Sequence, residues 1–306
     1  MPLDPCYAEM VADPRNVLRP VPMASLHDFR MATGAPLLEI EGAAVAEVVD
    51  LSIPSETHII SGRLYRPSVD RDLPVILFFH GGGFVLCSVA THDAMCRDLC
   101  LRSGAAVVSV DYRRAPETVF PGPLEDCHAA LAWVTANAAT LGLDPSRIAV
   151  CGDSAGGNLT IATALLARER GPRLCYLGII YPMIDPACAW PSVDALAYGP
   201  VLSRDILHWF WECYLGSARA TPGPLAAVMT ADLAGLPPAT VLTAEFDPLC
   251  DEGEAFAGAL RATGSAVVSR RYLGMAHGFL SMPALTPIAA HAMSDLGNDL
   301  KAAFAA

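Results

Sequence analysis

The apolar positions of the chain fall into short β-branched runs separated by longer amphipathic stretches. Val45–Ile53 and Thr57–Tyr65 read as an opening pair of strands, followed by runs at Val75–Phe79, Ala105–Val110, Arg147–Cys151, Cys175–Tyr181, Thr240–Ala244 and Ala266–Tyr272. Between them, Thr91–Ser103, Gly122–Leu141, Ala155–Arg170, Glu252–Thr263 and Ala284–Ala303 read as helices. Strands that are apolar throughout and alternate with helices predict an α/β fold, with a mostly parallel sheet covered on both faces. In such sheets a site lies at the carboxyl ends of the strands. Two stretches break the rhythm: a Pro-rich segment over 1–45, with short helical pieces at best, and an insert over 185–225 between the sixth and seventh strands. The expected division is therefore 1–45, a main domain in two parts (46–184 and 226–306), and the insert. No repeat or low-complexity tract interrupts it.

Composition narrows the chemistry. The chain has 306 residues, 53% of them hydrophobic, enough for a large core, and no stretch approaches the ~20 apolar residues of a membrane span. The N-terminal Met-Pro-Leu-Asp-Pro has neither a basic start nor an apolar run, which makes the cytoplasm the expected compartment. A net charge of −12 disfavours nucleic acid and anionic membrane, both of which require clustered cations. Lys301 is the single lysine among 20 basic residues, so no lysine is placed for a P-loop or a pyridoxal Schiff base. The ten cysteines are scattered without a C-x-x-C pair and read as reduced, small hydrophobes rather than metal ligands. Neither metal nor cofactor is expected.

The chemistry concentrates in a few motifs. Gly152-Asp-Ser-Ala-Gly-Gly157 follows the strand Arg147–Cys151 and opens an Ala- and Leu-rich helix. A serine on a tight, glycine-flanked strand-to-helix turn is the geometry of a nucleophile elbow, although a serine there can also merely cap the helix. Upstream, His80-Gly-Gly-Gly-Phe84 follows the strand Val75–Phe79. Its glycines let backbone N–H groups approach a developing oxyanion, and Gly82, Gly83 and the N–H of Ala155 are the expected donors. A phosphate cradle is the other use of such a loop, but no lysine follows it. Downstream, Asp247 lies just past the strand Thr240–Ala244 and His277 just past Ala266–Tyr272. Ser154, Asp247 and His277 thus occur in the chain order of a hydrolase triad. Asp251 begins a helix and is expected to cap it instead.

Taken together, His80-Gly-Gly-Gly-Phe, Tyr112-Arg-Arg-Ala-Pro-Glu117, Gly152-Asp-Ser-Ala-Gly-Gly157, Asp247-Pro-Leu-Cys-Asp-Glu252 and His277-Gly-Phe279 resemble, in order, the blocks of the bacterial hormone-sensitive-lipase-like esterases. Arg114 and Cys250 depart from that pattern, away from the triad. The resemblance implies an α/β-hydrolase fold, carboxylic ester hydrolysis through an acyl-enzyme, and a cap built from the N-terminal segment and the insert. It also implies a homodimer through the last strand, Ala266–Tyr272. Two alternatives stay open: an amide hydrolase or acyltransferase with the same triad, and a non-catalytic small-molecule-binding protein on the same fold.

Within the insert, Ser203 is placed to cap a helix that carries Trp209, Phe210 and Trp211. Three consecutive aromatics span about 200° of a helix, too wide for one core-facing stripe. They fit either a helix wedged between two packing partners or a roof over Ser154. On the second reading Phe84, Trp209 and Trp211 line the substrate pocket, and short to medium acyl esters are preferred.

Overall fold

The computed structural model describes residues 2–13, 16–282 and 286–306. Eight strands form one sheet: β1 (Glu47–Pro54), β2 (Ile59–Arg66), β3 (Leu73–Phe79), β4 (Ala106–Asp111), β5 (Leu143–Asp153), β6 (Tyr176–Ile180), β7 (Ala239–Phe246) and β8 (Val267–Ala276), in the spatial order β1-β2-β4-β3-β5-β6-β7-β8. The β1–β2 and β2–β4 pairs are antiparallel and all others parallel. The helices are α1 (Pro5–Ala12), α2 (Leu26–Leu38), α3 (Asp93–Ser103), α4 (Gly122–Ala136), α5 (Ala138–Leu141), α6 (Ala155–Arg170), α7 (Pro191–Ala195), α8 (Arg204–Leu215), α9 (Cys250–Ala262) and α10 (Pro287–Ala305).

The central strand shows why both faces need cover. Val75, Leu77 and Phe79 of β3 enter one core with residues of α4 and α6, while Ile76 and Phe78 enter the other with residues of α3 and α10. That alternation is the period-two geometry of a strand with no wet face. All ten cysteines are free thiols, seven of them buried. No helix among the described residues is long and apolar enough to cross a membrane.

Four departures from expectation are informative. The helix read over Gly122–Leu141 breaks at Asn137, whose side-chain and backbone N–H groups both donate to Trp133 O. β8 runs on to Ala276, because Gly274 takes a φ of 75° that a bulkier residue would resist. α2 is a full 13-residue helix despite the internal Pro36. It is held by tertiary contacts: Arg30 donates to Val85 O and Ala115 O and forks onto Glu117. The last helix begins at Pro287, capped by Thr286; its expected start at Ala284 lies outside the described residues.

Candidate active site

β5 delivers Ser154 to the carboxyl edge of the sheet in a strained turn, at φ 56° and ψ −118°. A β-carbon on Gly152 would lie 2.7 Å from Phe79 O, and one on Gly156 would overlap the same oxygen, so neither position tolerates a side chain. The elbow is pinned to its neighbours: Ser154 N–H donates to Ile180 O at 2.8 Å, and Met183 N–H donates to Ser154 O at 3.0 Å. The surrounding structure thus holds a backbone conformation that an isolated turn would leave.

β7 and β8 bring the other two groups together. A register shift after Ala244 sets Phe246 opposite Ala276, so the next residues, Asp247 and His277, leave the sheet side by side. His277 Nδ1 lies 2.7 Å from Asp247 Oδ2, and its Nε2 lies 3.0 Å from Ser154 Oγ. Asp247 is fully buried, and its other oxygen accepts Leu249 N–H at 2.9 Å. A carboxylate can only accept, so Nδ1 carries the proton and Nε2 is left as acceptor for the serine hydroxyl. Tyr181 supports the imidazole edge-on at 4.8 Å.

The glycine loop approaches the same point. Gly82 and Gly83 sit at φ 100° and 60° and line the cavity over Ser154. No protein acceptor for the N–H of Gly82, Gly83 or Ala155 is found among the described residues. The loop is held from below: Gly81 N–H donates to Asp153 Oδ1 at 2.8 Å, His80 Nδ1 bonds Gly81 O at 2.9 Å, and Tyr112 hydroxyl donates to His80 O at 2.7 Å. Burial, together with the nearby His92, pushes the His80 imidazole down to about 3, so it stays neutral and donates through Nδ1.

The cavity has a volume of about 430 Å³, within the usual range for small-molecule sites. Its walls come from residues 16–18, from Phe29, Thr33 and Leu37 of α2, and from Phe210 of α8. Cys87 also lines it, but burial pushes its thiol up to about 12, so it offers no thiolate to compete with Ser154.

Three expected pocket residues lie elsewhere. Phe84 stacks on Tyr214 at 3.7 Å and packs against Trp211 at 5.3 Å, which puts Phe84 and Trp211 in the core beneath the insert. Trp209 meets Phe29 of α2 edge-on at 6.2 Å. The α8 helix is therefore wedged, with Trp211 toward the main domain, Trp209 toward α2 and Phe210 alone of the three toward the cavity. Asp251 does not cap its own helix. Its Oδ2 accepts Ser192 N–H from α7 at 2.8 Å and ties the insert down. Sequence reasoning passed over His92, Arg30 and the role of Asp153, and of the three aromatics it assigned Trp209 and Trp211 to the pocket where Phe210 lines it. The acidic residue in the elbow motif was visible, but its partners lie 61 or more residues away.

A family model described as "alpha/beta hydrolase fold" matches residues 76–281. The carboxylic ester hydrolase LipN of Mycobacterium tuberculosis is 40% identical over 84% of this chain and 70% of its own length. The carboxylesterase NlhH of the same organism is 44% identical over 75% of this chain and 74% of its own. The structure of a hyperthermophilic esterase from the archaeon Pyrobaculum calidifontis superposes with a TM-score of 0.92 at 38% identity, covering 99% of both chains. With its ordered motifs, its sheet order and these likenesses, the chain belongs to the α/β-hydrolase-fold family, in the hormone-sensitive-lipase-like esterase branch.

Proposed function

We propose that the chain is a serine carboxylesterase in which Ser154 is the nucleophile, His277 the general base and acid, and Asp247 the group that orients the imidazole. The observation that carries this reading is the unbroken hydrogen-bonded line Asp247–His277–Ser154 opening into a cavity bounded by the glycine loop. His277 Nε2 takes the hydroxyl proton as Ser154 Oγ attacks the ester carbonyl. The oxyanion that forms is met by the N–H groups of Gly82, Gly83 and Ala155. When the tetrahedral intermediate collapses, His277 returns the proton to the departing alcohol oxygen and an acyl-Ser154 remains. Water, deprotonated by the same imidazole, then releases the acid.

Residues 1–45 and 185–225 act as a cap over this site, and a cavity closed by Phe210, Phe29 and Leu37 favours short to medium acyl chains, about two to eight carbons. The protein works in the cytoplasm on small esters. The names of its relatives, a carboxylesterase and a carboxylic ester hydrolase, agree with this substrate class.

The test is turnover of p-nitrophenyl acetate and its anilide analogue by the wild type and by Ser154→Ala. The proposal expects rapid ester cleavage, little anilide cleavage, and loss of both in the variant with an unchanged circular dichroism spectrum. Preference for the anilide would make the chain an amide hydrolase. Absence of turnover with tight retention of an ester analogue would make it a binding protein.

A further inference from the structure

Behind the glycine loop, a buried imidazole faces a buried carboxylate that the triad does not use. Asp153 is 4% exposed and His92, at the N-terminal end of α3, is 3% exposed. His92 Nε2 lies 3.3 Å from Asp153 Oδ1, the oxygen that also accepts Gly81 N–H. That nitrogen has no hydrogen-bond partner among the described residues; Asp153 is the carboxylate it faces. A β-carbon on Gly81 would lie 2.5 Å from the other oxygen, Oδ2, so the carboxylate fills the space directly beneath the loop.

His92 has a polar neighbour on each side of its ring. Thr91 Oγ1 accepts Ser88 N–H at 2.9 Å and gives its only proton to Ser88 O at 2.9 Å. His92 Nδ1 lies 3.1 Å from that oxygen, within hydrogen-bond reach. Nε2 faces a carboxylate, which can only accept. Asp153 Oδ1 thus serves two groups, the Gly81 N–H it accepts and the His92 imidazole it faces. Burial alone would raise the Asp153 carboxyl, but the His92 imidazole beside it, with smaller contributions from His80 and His277, outweighs burial and holds the carboxyl below its ordinary value.

We propose that His92 is a positioning residue for ester cleavage: it holds the carboxylate that anchors Gly81, one residue from the nucleophile and beneath the oxyanion donors. A carboxylate that loses this contact loosens its hold on Gly81 and with it the aim of the donors. His92 makes no hydrogen bond to Ser154 and acts through Asp153, and both residues line the cavity. This inference rests on the active-site reading above.

Steady-state kinetics with p-nitrophenyl butyrate, together with the acylation burst, test it in a double-mutant cycle. Loss of a whole oxyanion donor costs about 10²–10³ in kcat; a loosened loop keeps part of that, so His92→Ala should lower kcat by roughly 10–100-fold with KM little changed. His92→Gln, which keeps a donor at the reach of Nε2, should recover most of the loss. In an Asp153→Asn background, removing the imidazole should cost only a few-fold, because the carboxylate it holds is gone. A trifluoromethyl ketone, which forms a tetrahedral oxyanion on the serine, should lose affinity in step with kcat/KM, while an unreactive ester isostere should not. Thermal melting of each variant separates this from unfolding; if His92→Ala does not fold, the His92→Gln and Asp153→Asn variants and their double supply the same comparison. Unchanged kcat in His92→Ala overturns the inference. So does a loss of equal size in His92→Gln, or one that persists in full beside Asp153→Asn. A wild type whose Ser154 is not labelled by a p-nitrophenyl phosphonate would instead break the active-site reading itself.

Discussion

Replacing Asp247 by Asn probes the orientation of the triad with almost no change in shape. Asp247 is fully buried and has two partners, Leu249 N–H on Oδ1 and His277 Nδ1 on Oδ2. An asparagine that keeps its oxygen toward Leu249 N–H presents its NH₂ to Nδ1. The imidazole must then carry its proton on Nε2, aimed at Ser154 Oγ, and it is no longer a base. Turning the amide over restores the tautomer but sets NH₂ against Leu249 N–H, leaving a buried donor unpaired at about 1–3 kcal/mol. Either arrangement also removes the anion that stabilises the imidazolium. A serine protease carrying the same change loses about 10⁴ in kcat, and at 1.36 kcal/mol per tenfold that is ~5.4 kcal/mol of transition-state stabilisation. The assay is kcat on p-nitrophenyl butyrate beside a urea melt. Asp251→Asn is the matched control: its amide oxygen still accepts Ser192 N–H, so kcat should stay within a few-fold. If the loss of activity followed Asp251 instead, the assignment of the acid would be wrong.

Phe210→Ala should lengthen the preferred acyl chain by about two to four carbons, each newly buried methylene being worth ~0.8 kcal/mol, as read from a panel of p-nitrophenyl esters. Trp211→Ala should leave the chain-length profile unmoved and cost about 3–5 kcal/mol of stability, because Trp211 is fully buried against Phe84. His80 is neutral in the folded protein, its pKa depressed from 6.5 to about 3, so the unfolded chain binds the extra proton as pH falls. Its contribution to stability is complete above pH 6.5 and is lost as pH falls toward about 3. The midpoint in urea should drop between pH 7 and pH 4.5, and less so in His80→Asn, which keeps a donor for Gly81 O. At the edge of the sheet, Arg270 and Arg271 of β8 turn into pairs with Asp299 and Glu254, while Val268 stays exposed, an edge open to a second copy. Light scattering at micromolar concentration should give a dimer mass; a monomer would dispose of that reading.

What was legible in the chain followed from periodicity and local turn chemistry. Each of the eight strands announced itself as a β-branched run, and Ser154, Asp247 and His277 were marked by standing just past strand ends. What failed depended on tertiary direction. The last strand was expected to end at Tyr272, yet β8 continues through Gly274 and so sets His277 beside Asp247. Three neighbouring aromatics in α8 could not be sorted by composition, since only packing against Phe29 and Phe84 decides that Phe210 meets the cavity. The pairing of His92 with Asp153 spans 61 residues and leaves no pattern in either segment. Arg30, 85 residues from Ala115, was invisible for the same reason.

The central claim is that Ser154 Oγ attacks the substrate and carries its acyl group. Incubation with an excess of a p-nitrophenyl phosphonate, followed by mass spectrometry of the intact chain and its peptides, tests this directly. The account predicts one equivalent of p-nitrophenol released, one phosphonyl group bound, its site at Ser154, and activity lost in proportion. A label on another residue such as Cys87, or full labelling of Ser154→Ala, would contradict it.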